Sequence, residues 1–266
     1  MSLAAGSAPG QSQTAFDVLD GRGALLGWEA VGRIDTPTGY CTGTLIARDI
    51  VLTAAHCLFD RASAAPVPAT AIRFRAGYHH GQQIADRRVT RWIVSDGYTP
   101  GSDGRNTGTM IARDIALLQL DHDIFSAEAD PFQVADTLPD GARVSVLSYG
   151  QGRDQALSRE PSCEITHRYH GGVFGFDCDV TFGSSGAPVF ARIDDRLRIV
   201  SVISAVGDVR EGRRTAYGMV LPEQVTALMR ILRRDAARPQ PGAGARRITV
   251  GERASGGARF VRPGGS

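Results

Sequence analysis

A chain of 266 residues with 42% hydrophobic side chains and a formal net charge of +2 is long enough to bury one large core or two smaller ones. It contains no apolar run near the ~18 residues that a membrane span requires. The near-neutral balance gives no reason to expect a nucleic acid as partner, although the six arginines after Asp235 face only Asp235 and Glu252, so the last segment is the basic part.

In chain order, residues 1–20 are small and polar and are expected to form a loose leader that packs little. The first ten lack the basic start and apolar run of a signal peptide. Strand-like segments separated by turn signals then recur at 25–31, 39–46, 50–54, 71–76, 87–94 and 115–120. After Pro139 a second series follows at 143–150, 162–169, 173–177, 188–193, 198–205 and 216–220. Short strands at this spacing argue for an all-β fold rather than alternating βα units. Two series of about six predict two antiparallel β-barrels, over 21–130 and 131–221, with 121–140 joining them. Residues 103–108 read as an exposed loop just ahead of Asp114. A helix is expected over 222–234, where Val225, Leu228, Met229 and Leu232 recur at helical spacing behind Pro222. The Arg-, Gly- and Pro-rich stretch 235–266 reads as a basic tail, a solvated terminus more than a docking element for an acidic surface.

The chemistry centres on Thr181-Phe182-Gly183-Ser184-Ser185-Gly186-Ala187-Pro188. Glycines on either side of a serine let the backbone turn sharply and leave the hydroxyl and its own N–H accessible. A serine hydroxyl is a poor nucleophile near neutral pH and needs an adjacent base, usually a histidine oriented by a buried carboxylate. Thr53-Ala54-Ala55-His56-Cys57 and Arg113-Asp114-Ile115-Ala116-Leu117-Leu118 supply both, and the order is His56, Asp114, Ser185. An α/β-hydrolase runs Ser, acid, His, and a subtilisin runs Asp, His, Ser; only the chymotrypsin order fits. Cys41, Cys57, Cys163 and Cys178 fall into two pairs by halves of the chain. That pattern leaves free buried thiols or two local bridges open, the bridges implying an oxidising compartment.

With Cys41-Thr42-Gly43-Thr44-Leu45-Ile46, the His56 and Asp114 segments, Gly183-Ser184-Ser185-Gly186-Ala187-Pro188 and Trp92-Ile93-Val94-Ser95-Asp96-Gly97-Tyr98, residues 25–232 resemble the trypsin-like (chymotrypsin-fold) serine peptidases, in the bacterial branch that includes the V8-like enzymes. The resemblance implies two six-stranded barrels with the active site in the cleft between them and a C-terminal helix. It implies Ser185 as nucleophile, His56 as general base and acid, and Asp114 as orienting carboxylate. The N–H groups of Gly183 and Ser185 would form the oxyanion hole, and the bridges would be Cys41 to Cys57 and Cys163 to Cys178. Protein or peptide substrates, a secreted or periplasmic location, a monomer, and neither cofactor nor metal follow from the same likeness.

Several positions bear on activation and specificity. Ser184 stands where animal trypsins carry the Asp that pairs with a newly cut N-terminus, so no such activation switch is expected. Asp179, six residues before Ser185, stands where trypsins carry the carboxylate that recognises Arg or Lys at P1; the alternative is a loop brace beside Cys178 or a solvent-facing acid. Ser204 and Val206 fall on the expected substrate-binding edge, Val206 where open pockets have glycine. The stretch 202–206 lacks the histidine on which glutamyl-specific relatives rely. His79 and His80, adjacent, are expected to point apart on a surface hairpin; they and the pair His167 and His170 suggest no metal. A catalytically silent scaffold that binds protein partners is the alternative from another class, but no triad residue has been lost.

Overall fold

The computed structural model describes residues 16–101, 107–139, 141–210 and 213–236. The expected loop over 103–108 falls largely outside the described residues, as do the first fifteen residues and the tail from 237 on. What precedes the first barrel is built from apolar residues three apart. A two-residue strand, β1 (Asp17–Val18), and one helical turn, α1 (Arg22–Leu25), lead to Trp28 and Val31. Leu19, Leu25 and Val31 are buried between the barrels, with Trp28 packed against them. Two expectations change here. From Asp17 the leader is anchored, since β1 pairs antiparallel with Ser158 and Arg159. The segment 25–31 is not a strand: Leu25, Trp28 and Val31 follow the spacing of a helical turn, and Gly27 at φ +84° bends the chain between them.

The first barrel comprises β2 (Val31–Thr36), β3 (Gly39–Ala47), β4 (Ile50–Thr53), β5 (Arg73–Ala76), β6 (Ala85–Val94) and β7 (Ala116–Leu120). It closes in the order β2-β3-β4-β7-β6-β5. Alternation places Ile34, Leu45, Val51, Phe74, Val89 and Leu118 inside it. The second comprises β8 (Arg143–Ser148), β9 (Ser158–Tyr169), β10 (Val173–Phe176), β11 (Pro188–Ile193), β12 (Arg196–Arg210) and β13 (Arg213–Met219). Its order is β9-β10-β13-β12-β11-β8, closed by pairing of β8 with β9, and β1 adds to β9. Val144, Val146, Phe176, Val189 and Ile203 fill it. The expected two six-stranded antiparallel barrels are therefore present, as is the C-terminal helix.

The outward faces of the two barrels meet in a third apolar cluster. Ile50, Leu52, Ile115 and Leu117 of the first pack with Leu147, Tyr149, Phe190, Ile199 and Val202 of the second. Fully burying each such side chain is worth about 1.5–3 kcal/mol, so the seam resists opening. Helix α3 (Pro222–Ala236) seals it from outside, inserting Val225, Leu228 and Leu232 into the same cluster. A short helix, α2 (Gly108–Arg113), N-capped by the Thr107 hydroxyl, which accepts from the Met110 N–H at 3.3 Å, delivers the chain to Asp114.

Both cysteine pairings are formed, Cys41 with Cys57 and Cys163 with Cys178. The first ties β3 to the turn that carries His56. A Cys41→Ala/Cys57→Ala double variant reopens a loop of 16 residues, and chain entropy predicts a loss of about 3 kcal/mol. Equilibrium urea unfolding of oxidised protein measures it; an unchanged midpoint and slope contradicts this role.

Candidate active site

His56 sits in a short 3₁₀ turn (Ala55–Leu58) directly after β4, and Asp114 caps α2 just before β7. Because β4 and β7 are neighbours in the barrel, with Thr53 opposite Ala116, the ladder brings the two residues together. The carboxylate grips the histidine twice. Its Oδ1 accepts from the His56 backbone N–H at 2.8 Å, and its Oδ2 lies 2.7 Å from ring Nδ1. The Ser204 hydroxyl of β12 donates to the same Oδ2 at 2.5 Å. Asp114 is 5% exposed and acceptor-only, so the paired Nδ1 carries the proton and Nε2 is left as the basic atom. Burial alone would lower the pKa of the imidazole, but the charge and hydrogen bond of Asp114 more than reverse that, and His56 titrates above its ordinary value. Ser204, read from the sequence as lining the substrate edge, thus has its hydroxyl on the Asp114 carboxylate.

The glycine–serine turn is fixed against β3 and β4. Thr42 N–H donates to Ser185 O at 2.9 Å, and the Thr42 hydroxyl donates to Gly183 O at 2.8 Å. Gly186 has φ +78°, and a Cβ there would collide with Thr53 Oγ1 and Thr42 O. Gly183 has φ +85°, and a Cβ there would collide with Tyr149 O and the Tyr40 ring. Both glycines are therefore required by conformation and by space. These contacts seat Ser185 beside the His56 turn, with Gly186 packed on Thr53 and Ala54. No hydrogen bond joins the Ser185 hydroxyl to the His56 ring among the described residues, an arrangement common before substrate tightens a site.

The main-chain N–H groups from Gly183 to Ala187 divide into two sets. Those of Ser184, Gly186 and Ala187 donate to Thr181 O, Ile203 O and Ser184 O. Those of Gly183 and Ser185 have no acceptor among the described residues. Gln151 N–H holds Phe182 O at 2.7 Å; because a trans peptide points its N–H opposite its C=O, this bond turns Gly183 N–H away from Gln151. Ser184 is fully buried, its hydroxyl donating to Ser148 Oγ at 2.9 Å and accepting from Thr181 N–H at 3.3 Å.

Asp179 is exposed, so the dry pocket that a carboxylate at this position calls for does not surround it in the free protein. Its backbone N–H donates to Glu160 Oε2 at 2.7 Å. Val206 packs against the core of the second barrel. Glu160 escaped the sequence reading, and its only signal is its place: it occupies an inward position of β9, 1% exposed, with Oε1 unpaired among the described residues. Burial, with the charges of Asp179 and Asp177, pushes its carboxyl up to about 7. Between its ordinary value of 4.5 and about 7 the folded protein retains a proton that the unfolded chain has released, so stability falls as pH rises through that window. Glu160→Gln should flatten this fall and stabilise the protein by up to about 3 kcal/mol above pH 7, measured by denaturant unfolding from pH 4 to 8. A variant that keeps the wild-type slope contradicts the assignment.

Comparison with known proteins places the fold among known ones. Residues 41–198 match the model of the trypsin-like peptidase domain. Trypsin epsilon of Drosophila erecta is 28% identical over 197 residues, covering 64% of this chain and 70% of that one. Among solved structures, a Glu endopeptidase superposes with a TM-score of 0.61 at 20% identity, covering 79% of this chain and 92% of its own. The protease Anisep from Arthrobacter nicotinovorans superposes at 0.59 and 18% identity, covering 75% and 93%. The chain belongs to the trypsin-like peptidase family of serine endopeptidases.

Proposed function

We propose that the protein hydrolyses peptide bonds through Ser185, His56 and Asp114 by way of an acyl-enzyme. The observation that carries this reading is the double grip of Asp114 on His56, which leaves Nε2 as the only free base on the ring. Ser185 Oγ attacks the substrate carbonyl carbon as its proton passes to Nε2. The tetrahedral oxyanion accepts from the N–H groups of Gly183 and Ser185, the two between Gly183 and Ala187 that have no acceptor among the described residues. The C–N bond then breaks, and His56 gives its proton to the departing amine. Water repeats the sequence on the ester, releasing the acid and restoring Ser185. Each oxyanion donor is worth about 2.7–4 kcal/mol of transition-state stabilisation, and an intact grip of Asp114 on the imidazole about 10⁴ in kcat.

Ser184 supports activity without a cut N-terminus. In animal trypsins an Asp at this position needs a cationic partner. Here the position holds a neutral hydroxyl already bonded to Ser148, so no buried charge awaits an amine. The names of the similar proteins point to different P1 residues, a trypsin and a Glu endopeptidase. The exposed carboxylate of Asp179, six residues before Ser185, favours a basic side chain, whose own bulk would supply the desolvation that Asp179 lacks. Two disulfides suit a secreted or periplasmic setting.

Steady-state kinetics over pH test the triad. The kcat/KM of the wild type should fall below a midpoint above 6.5 as His56 gains its proton. Asp114→Asn should cut kcat by about 10⁴; a loss under tenfold removes Asp114 from the mechanism. Profiling P1 on a peptide library tests specificity: Asp179→Ser should lower kcat/KM for Arg and Lys at least tenfold (about 1.4 kcal/mol). An unchanged preference assigns it elsewhere.

A further inference from the structure

The hairpin between β5 and β6 carries the two adjacent histidines that strand alternation would send to opposite faces. Its backbone does otherwise. His79 and Gln82 exchange main-chain hydrogen bonds of 2.8 Å in both directions. The two residues between them, His80 and Gly81, have φ of +44° and +81°, the paired left-handed conformation of a type I′ turn. The turn brings the rings back together, edge to face with centroids 4.5 Å apart. Asp20, between β1 and α1, completes the group: its Oδ1 lies 2.5 Å from His79 Nε2 and 3.7 Å from His80 Nε2. All three donor atoms lie within 4.8 Å of one another.

We propose that Asp20, His79 and His80 bind a divalent transition-metal cation of the Zn²⁺ class, with the remaining coordination position left to water. Two imidazoles and one carboxylate are the donor set such ions favour, whereas Ca²⁺ and Mg²⁺ favour oxygen alone. Tetrahedral bonds of ~2.0–2.2 Å place neighbouring donor atoms roughly 3.3 Å apart. The His80 to Asp20 separation is already close to that, and the His79 to Asp20 contact must open by under about 1 Å on the same geometry. The Asp20 and His80 side chains are 69% and 58% exposed, so the adjustment can be made by moving exposed groups.

A second observation points the same way. His79 Nε2 faces a donor, Gly21 N–H at 3.1 Å, and an acceptor, the Asp20 carboxylate. One ring nitrogen satisfies only one of them, with or without its proton. A cation between Nε2 and Oδ1 takes the lone pairs of both and frees the Gly21 N–H, on a half-buried residue, from a ring nitrogen that also faces the carboxylate.

The site joins segments distant in the chain. His80 N–H also donates to Gln155 O at 2.6 Å, in the second-barrel turn that contains Gln151, while Asp20 belongs to the segment anchored on β9. A bound cation therefore clamps the N-terminal segment to the first barrel at the seam and stabilises the fold without touching the triad.

Isothermal titration of the chelator-stripped full chain with Zn²⁺, together with thermal unfolding, tests this. One equivalent present in the wild type should weaken at least tenfold in His80→Ala and in Asp20→Asn, both changed at exposed side chains. His122→Ala, an exposed histidine elsewhere, should keep it. Any ion held by His56 remains in all variants and is counted separately. The unfolding temperature should rise with Zn²⁺ and not with Ca²⁺, and the rise should vanish in the two site variants. Equal binding and equal thermal response in wild type and both site variants, a Ca²⁺ response matching that of Zn²⁺, or no saturable Zn²⁺ binding overturns the proposal.

Discussion

The arrangement depends on one buried carboxylate. Asp114 comes from the first barrel, yet one of the three hydrogen bonds its carboxylate accepts among the described residues comes from Ser204 of the second. An ionised group out of water is tolerated only where partners replace its hydration, so the two barrels must stay in register for Asp114 to remain satisfied. The apolar seam of Leu52, Ile115, Leu117, Leu147, Phe190 and Val202 enforces that register, and α3 covers it. The stability of the seam and the orientation of the imidazole are thus the same constraint seen at two scales.

At the glycine–serine turn, positioning is achieved without charge. Tyr149 N–H donates to Thr42 Oγ1 at 3.0 Å, while the Thr42 hydroxyl donates to Gly183 O, so a single threonine of β3 spans from the residue after β8 to the glycine–serine turn. Ser184 and Ser148 complete the bracing with hydroxyls. Neutral hydrogen bonds of this kind contribute about 0.5–1.5 kcal/mol each, and several acting on one short turn hold it in one conformation across pH. The exception is Glu160, which attaches a titrating group to the main chain of Asp179.

Much of this was legible in the linear sequence, for physical reasons that differ by element. Strands such as 50–54 and 188–193 announce themselves by apolar runs between turn residues, and the glycines at 183 and 186 by needing positive φ. The order His56, Asp114, Ser185 selects the fold because chain order is topology. Where the reading failed, the missing information was long-range or conformational. The run from Leu25 to Val31 is apolar enough for a strand, and its spacing of three is visible only once Trp28 is known to face the seam. Glu160 is an acidic residue among many until its strand register is fixed. Ser204 reaches Asp114 only because two barrels meet. His80 departs from strand alternation because of a left-handed φ that Gly81 makes easy to continue but that no pattern specifies.

The central claim is that Ser185 is a nucleophile activated by the clamped histidine. Intact-mass analysis of the folded protein after exposure to a fluorophosphonate, followed by peptide mapping, tests it most directly. The account predicts a single adduct on Ser185, absent from Ser185→Ala and retained in Ser184→Ala. No adduct on the folded wild type, or an adduct mapped to Ser184, would contradict it.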